Sequence, residues 1–136
     1  MQSNKIATAS CSVIKVRGLH KNFGPREVLR GIDLDVRAGD ILSVMGPSGS
    51  GKSTLLYCMT GILTADKGEV FFNGKNLAHY STNSLIALRK TSFGFIFQFG
   101  ELIPELPVRD NIALPLLLRG VRKKQAYKTA DEWASL

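Results

Sequence analysis

Cysteine is scarce in this sequence. Cys11 and Cys58 are the only two, with no Cys-x-x-Cys spacing and no paired histidine pattern. That excludes a disulfide scaffold and a zinc ribbon, and it fits a reducing compartment. Long apolar runs are missing too: residues 116–118 and 95–97 are among the longest, far short of the ~18 needed to span a bilayer. Acidic residues are the minority, 11 Asp and Glu against 18 Lys and Arg, for a net charge of +7. The expected partners are therefore anions: nucleotide, nucleic acid or lipid surface. There is no fixed-period repeat and no low-complexity segment.

What is present is a globular mixture, 44% hydrophobic and 21% charged, in 136 residues. That is enough for one domain at most. Residues 6–10 before Cys11 resemble a processing site faintly, but the apolar stretch is shorter than the roughly 7–15 residues of a signal core. Residues 1–12 are expected to be a loose leader, and the chain soluble and cytoplasmic. Residues 13–16 form a short β-type run. Ile32, Leu34 and Val36 alternate with Asp33, Asp35 and Arg37, the pattern of a half-buried strand. A turn at Ala38-Gly39-Asp40 follows. Residues 41–45 are mostly apolar without alternation, as in a strand covered on both faces.

Further on, a helix is predicted over 52–59, ending near Gly61. A strand over 68–72 is closed by Asn73-Gly74, a strong hairpin signal. Residues 83–90 read as a helix with Leu85, Ile86 and Leu88 on its apolar side, and 93–97 as another strand. Residues 110–118 have helical character, with Pro115 expected to kink or restart the helix. Ala126, Ala130, Trp133 and Ala134 at helical spacing start a further helix over 122–136. The sequence stops inside that helix, without a Gly or Asn cap, an expected interruption rather than a designed end.

One motif carries chemistry. Gly46-Pro47-Ser48-Gly49-Ser50-Gly51-Lys52-Ser53 matches G-x-x-x-x-G-K-[ST], between an apolar run and a helical one. A triphosphate needs several main-chain amides at once, so the chain must curl tightly. Gly46, Gly49 and Gly51 permit that and remove Cβ atoms that would hold phosphate away. The helix beginning near Lys52 aims its amides and positive dipole end at the same anion. Lys52 adds a mobile charge for the β- and γ-phosphates. The Ser53 hydroxyl suits Mg²⁺, which prefers oxygen donors. The bland alternative is a Gly/Ser-rich surface turn.

The residues around this loop resemble one family. Asp33-Leu34 with Val36, Gly39-Asp40-Ile41 and the run from Gly46 through Thr54 look like the ATP-binding subunit of an ABC transporter. Residues 93–98, then Leu102-Ile103-Pro104 and Asp110-Asn111-Ile112, are similar to that family's Q-loop region. Residues 111–116 resemble the branch of lipoprotein-release and macrolide- or peptide-export ATPases. The resemblance implies an α/β P-loop fold of the ABC ATPase type: an N-terminal antiparallel β portion, a core to about 97, a Q-loop at 98–107 and a partial helical subdomain at 108–136. It implies ATP and Mg²⁺ as ligands, a second ATP-binding subunit as dimer partner, and a membrane permease docked through residues 98–118. The subunit would sit peripherally on the inner face of the cell membrane.

Position by position, the resemblance assigns Phe23 to adenine stacking and Gln98 to Mg²⁺ and the attacking water. Each has a plainer alternative, an ordinary core Phe and a solvated loop Gln. The apolar Leu102, Ile103, Pro104, Leu106 and Pro107 suit docking or satellite core. Arg119, Arg122, Lys123, Lys124 and Lys128 could meet anionic lipid headgroups, but a solvated helix face is the plainer reading. His20 and His79 read as surface residues, and Cys58 as a small buried hydrophobe.

Hydrolysis in this family also needs an apolar quartet ending in Asp-Glu, a Leu-Ser-Gly-Gly-Gln signature and a switch histidine. None of these occurs in the 136 residues. The chain is therefore expected to bind ATP without turning it over. It is also expected to expose sheet edges and apolar faces that the family's remaining strands cover. Other P-loop readings stay open, above all a small kinase. A GTPase lacks its Asp-x-x-Gly and Asn-Lys-x-Asp. A non-catalytic binding fragment is also open, but no module for specific nucleic-acid recognition is present.

Overall fold

A computed structural model describes residues 12–97 and 100–135. Its contacts fall into two compact units, one ending at Leu85 and the other starting at Ile86. The first contains strands β1 (Ser12–Phe23), β2 (Arg26–Arg37), β3 (Lys67–Phe72) and β4 (Lys75–Asn76), helix α1 (Lys52–Met59) and a 3₁₀ turn at Leu77–His79. Helix α2 (Thr82–Ser92) begins there and ends in the second unit, which also holds α3 (Val108–Leu118) and α4 (Lys123–Ala134).

The sheet is antiparallel in the order β2-β1-β3-β4. In β2, Ile32, Leu34 and Val36 are half-buried while Asp33, Asp35 and Arg37 are exposed, so the expected alternation is realised. The turn after β2 closes where the Arg37 amide donates to the Asp40 carboxylate at 2.8 Å. Asn73 and Gly74 both take positive φ, 47° and 77°, the geometry of a two-residue hairpin loop. The β1 run is longer than 13–16 because it pairs on both sides, with β2 and with β3. Helix α1 lies against β1 and β2. Val16, Leu19, Leu29, Leu55, Cys58, Met59, Val70, Phe72 and Leu77 form the buried core. Burial pushes the Cys58 thiol above its ordinary pKa, so it is a small core hydrophobe and not a reactive thiolate.

Two strand expectations are corrected. Residues 41–45 join no ladder, and Ile41 and Met45 are almost fully exposed, at 98% and 90%. Residues 93–97 are likewise outside any ladder, with Ile96 wholly exposed. Phe95 and Phe97 stack with centroids 5.7 Å apart, so i and i+2 share a side, as in extended chain. Both segments have strand-like sequences, but a strand is defined by hydrogen bonds to a neighbour, and none of the described strands lies beside them. The exposed apolar faces are as anticipated.

In the second unit, Ala113, Ala126 and Ala130 are fully buried where α3 meets α4, ringed by Ile112, Leu116, Leu117, Val121 and Tyr127. Small residues at these positions let the two helix backbones approach closely. Arg109 ties the pair from outside, bonding Asp131 at 2.7 Å and lying 4.6 Å from the Tyr127 ring centre. A hydrogen bond to the Asp110 carboxylate raises the Tyr127 pKa above the ordinary tyrosine value. Pro115 neither ends nor restarts α3, which runs unbroken from Val108 to Leu118. Pro115 is exposed, and having no N–H it leaves the carbonyl one turn earlier without its helical donor. Trp133 is 58% exposed and lies off the buried alanine face, contrary to the spacing argument.

Candidate functional site

The loop from Gly46 to Ser50 is exposed main chain leading into α1. It is curled, not straight. The Ser50 amide donates to the Pro47 carbonyl at 3.3 Å. The Lys52 ammonium folds back onto the Gly46 and Pro47 carbonyls, 2.8 Å from each. Gly51 caps α1 in the left-handed region, φ 96°. A Cβ there would lie 2.8 Å from Val28 Cγ1 and 3.2 Å from the Val28 carbonyl, so only glycine lets the helix start directly against β2. No side chain caps α1, which leaves its first amides for a ligand at the loop. Ser48 is exposed at the loop tip, Ser53 is exposed on the first helical turn, and Thr54 is half-buried beside it.

Phe23 stands at the end of β1, half-exposed, with the Lys21 ammonium 5.8 Å from its ring centre. Its ring is not part of the buried core among the described residues. Lys21 itself is fastened by Asp66, whose carboxylate accepts from Lys21 Nζ at 2.9 Å and from the Asn22 amide at 2.6 Å. Those two bonds, the lysine's first, hold the Asp66 pKa below the usual carboxylate value. Between the β1–β2 turn and the loop lies an open cavity of about 560 Å³, lined by Pro25, Arg26, Glu27, Val28, Arg30, Gly49 and Ser50. Its volume is of the order a nucleotide-sized ligand requires.

Gln98 falls outside the described residues. Beyond it, Leu102 is 64% exposed and Ile103, Pro104 and Pro107 are exposed as well, while Leu106 is half-buried. Asn111, on α3, pins this loop. Its Oδ1 accepts from the Ile103 amide at 2.8 Å, and its Nδ2 donates to the Ile103 and Leu106 carbonyls at 3.1 and 3.0 Å. Replacing Asn111 by alanine is expected to cost about 1–3 kcal/mol. Amide exchange at Ile103 should accelerate while that of the β1–β3 ladder stays unchanged. Exchange at Ile103 as slow as in the parent would show that Asn111 holds nothing.

Arg119, Arg122, Lys123, Lys124 and Lys128 are all exposed. His79 is exposed, and His20 meets Glu27 at 3.0 Å. Among the described residues no cluster of three His, Cys, Asp or Glu gathers to hold a metal. A Mg²⁺ ion at the loop would depend on phosphate oxygens, water and the Ser53 hydroxyl, a donor set that suits it. Sequence reasoning missed two contributors, Asn111 as a loop clasp and Arg26, whose Nη2 lies 3.2 Å from the Gly49 carbonyl. Neither has a local signature; both act across the fold. Among the described residues no helix is long and apolar enough to cross a membrane.

Known proteins resemble this chain in sequence and in fold. The lipoprotein-releasing system ATP-binding protein LolD of Bacteroides thetaiotaomicron is 40% identical over 120 residues, 88% of this chain and 55% of the relative. The methionine import ATP-binding protein MetN of Rhizobium johnstonii is 37% identical over 136 residues, covering this whole chain and 37% of the relative. Among solved structures, the dimeric bacterial ABC transporter cassette MJ0796 superposes with a TM-score of 0.80 at 31% identity. That superposition covers 88% of this chain and 54% of the cassette. The chain thus spans about half the length of the LolD relatives and of this cassette, and its α/β fold is part of the ABC ATPase fold. The family described as ABC transporter matches residues 29–136, a stretch that holds both the curled loop and the helices beyond it, and the chain belongs to that family.

Proposed function

We propose that residues 46–54 bind Mg²⁺-ATP and that the chain is the nucleotide-binding part of an ATP-driven transporter subunit. The observation that carries this reading is the curl of the loop around Lys52, whose ammonium already sits on two loop carbonyls. Gly46, Pro47, Ser48, Gly49, Ser50, Gly51, Ser53 and Thr54 supply the cradle. Lys52 would hold the outer phosphates, and Ser53 with Gln98 the Mg²⁺. Phe23 offers its exposed ring to adenine, a stacking contact that needs no particular hydrogen-bond pattern.

The subunit would pair with a second ATP-binding subunit, consistent with the dimeric cassette it superposes on. It would dock a permease through the exposed apolar residues of 98–118, on the inner face of the membrane. Export or lipoprotein extraction is favoured because LolD proteins recur among the relatives. The methionine import relatives support the opposite direction. No specific nucleic-acid partner is proposed.

The chain by itself binds ATP without sustained turnover, because its 136 residues hold no apolar quartet ending in Asp-Glu. Calorimetric titration should show saturable Mg²⁺-ATP binding, with no steady-state phosphate release above buffer. Absence of binding would refute the nucleotide site. Phosphate release that disappears in Lys52→Ala would refute the lack of turnover. Binding of a nucleoside monophosphate as tight as that of ATP would favour the kinase reading instead.

A further inference from the structure

The loop is held from two sides. Lys52 draws the Gly46 and Pro47 carbonyls from within, at 2.8 Å. On the other side, Arg26 at the start of β2 donates from Nη2 to the Gly49 carbonyl at 3.2 Å. Across a trans peptide the C=O and the following N–H point in opposite directions. Fixing the Gly49 oxygen toward β2 therefore fixes the Ser50 amide away from it, toward the Pro47 carbonyl that it meets in the closed turn. Gly49 tolerates this because it takes φ 75°. Arg26 is itself exposed and borders the cavity beside Gly49 and Ser50. A guanidinium there puts planar, forked N–H donors suited to phosphate oxygens at the mouth of the proposed anion site.

We propose that Arg26 is a positioning residue of the nucleotide site: it anchors the middle of the loop to the sheet and biases the site toward polyphosphate. The proposal rests on the reading that residues 46–54 bind ATP. It assigns the site an outer anchor on β2, separate from the motif in sequence. Because the contact is solvent-exposed, its effect is modest compared with that of Lys52.

The test is calorimetric titration of Mg²⁺-ATP and of adenosine into the 136-residue chain and its Arg26→Ala and Arg26→Lys variants, with thermal melting as a fold control. Arg26→Ala should weaken ATP binding about three- to tenfold and leave adenosine binding and the melting temperature unchanged. Arg26→Lys should recover part of the loss. Equal ATP affinity in parent and Arg26→Ala overturns the proposal while leaving the nucleotide site intact. An equal loss for ATP and adenosine, or a lowered melting temperature, also overturns it, since a merely structural role would act that way. If the parent chain binds no ATP, the nucleotide reading fails, and this inference fails with it.

Discussion

Lys52→Ala should lower the affinity for Mg²⁺-ATP by about a hundredfold, which corresponds to about 2.7 kcal/mol. A single charge-assisted hydrogen bond contributes about 1.5–3 kcal/mol, and this ammonium is placed to make more than one. Its reach is shown by the two 2.8 Å bonds it already makes, to Gly46 and Pro47. Those carbonyls lie at the start of the same loop whose amides would face the phosphates. Removing the ammonium costs the ligand a charge and costs the loop its inner tie. The fold itself should survive, because Lys52 is the first residue of α1 and alanine is a good helix former. Titration calorimetry beside a melting curve separates the two effects. A variant that melts like the parent and binds ATP within threefold of it would show that the loop binds nucleotide without the lysine.

The largest loss of stability is expected from Gly68→Ala. Gly68 lies in β3 between Lys67 and Glu69, which pair with His20 and Arg17 of β1, and takes φ 87°. A Cβ there would lie 2.2 Å from the Gly18 carbonyl oxygen and 2.5 Å from that of Arg17. Both atoms are main chain in the irregular stretch of β1 where the register with β3 shifts, so no side chain can swing aside. The strands must separate or the turn must reform. Left-handed strain alone is worth about 1–3 kcal/mol, and the clash adds to it, for a total of about 3–5 kcal/mol. Small domains are stable by only about 5–15 kcal/mol, so the melting temperature should fall by more than about 10 °C. Gly74→Ala is the control. It has a similar φ of 77° but nothing within 4 Å of its Cβ position, so it bears the conformational cost without the collision. Equal destabilisation by the two substitutions would show that the close approach of β3 to β1 is not what Gly68 serves.

Much of the local structure could be read from residue order. The alternation at 32–36 and the Asn73-Gly74 pair each became the element they announced, because they depend on neighbours a few positions away. The 52–59 helix is equally local, starting at a glycine whose left-handed φ no other residue adopts easily. The readings that failed were those whose outcome lies elsewhere in the fold. Residues 41–45 and 93–97 have the composition of buried strands, but composition does not supply the strand beside them. Pro115 stays inside α3, whose bounds run past it from Val108 to Leu118. Trp133 has helical spacing to Ala130 yet lies off the face on which Ala126 and Ala130 are buried.

The chemistry proposed for the loop is read from sequence alone: glycines where the chain must curl, a lysine and a hydroxyl at the helix start, and an excess of positive charge in the chain. These are properties of consecutive residues and survive without knowledge of the fold. Tertiary structure decided which side of the loop is braced and by what. It brought Arg26 from the start of β2 onto Gly49, set Asn111 against the apolar loop, and left Phe23 half-exposed. Such contacts join residues distant in sequence, whose meeting depends on sheet register and helix placement, and no local pattern of residue types encodes that.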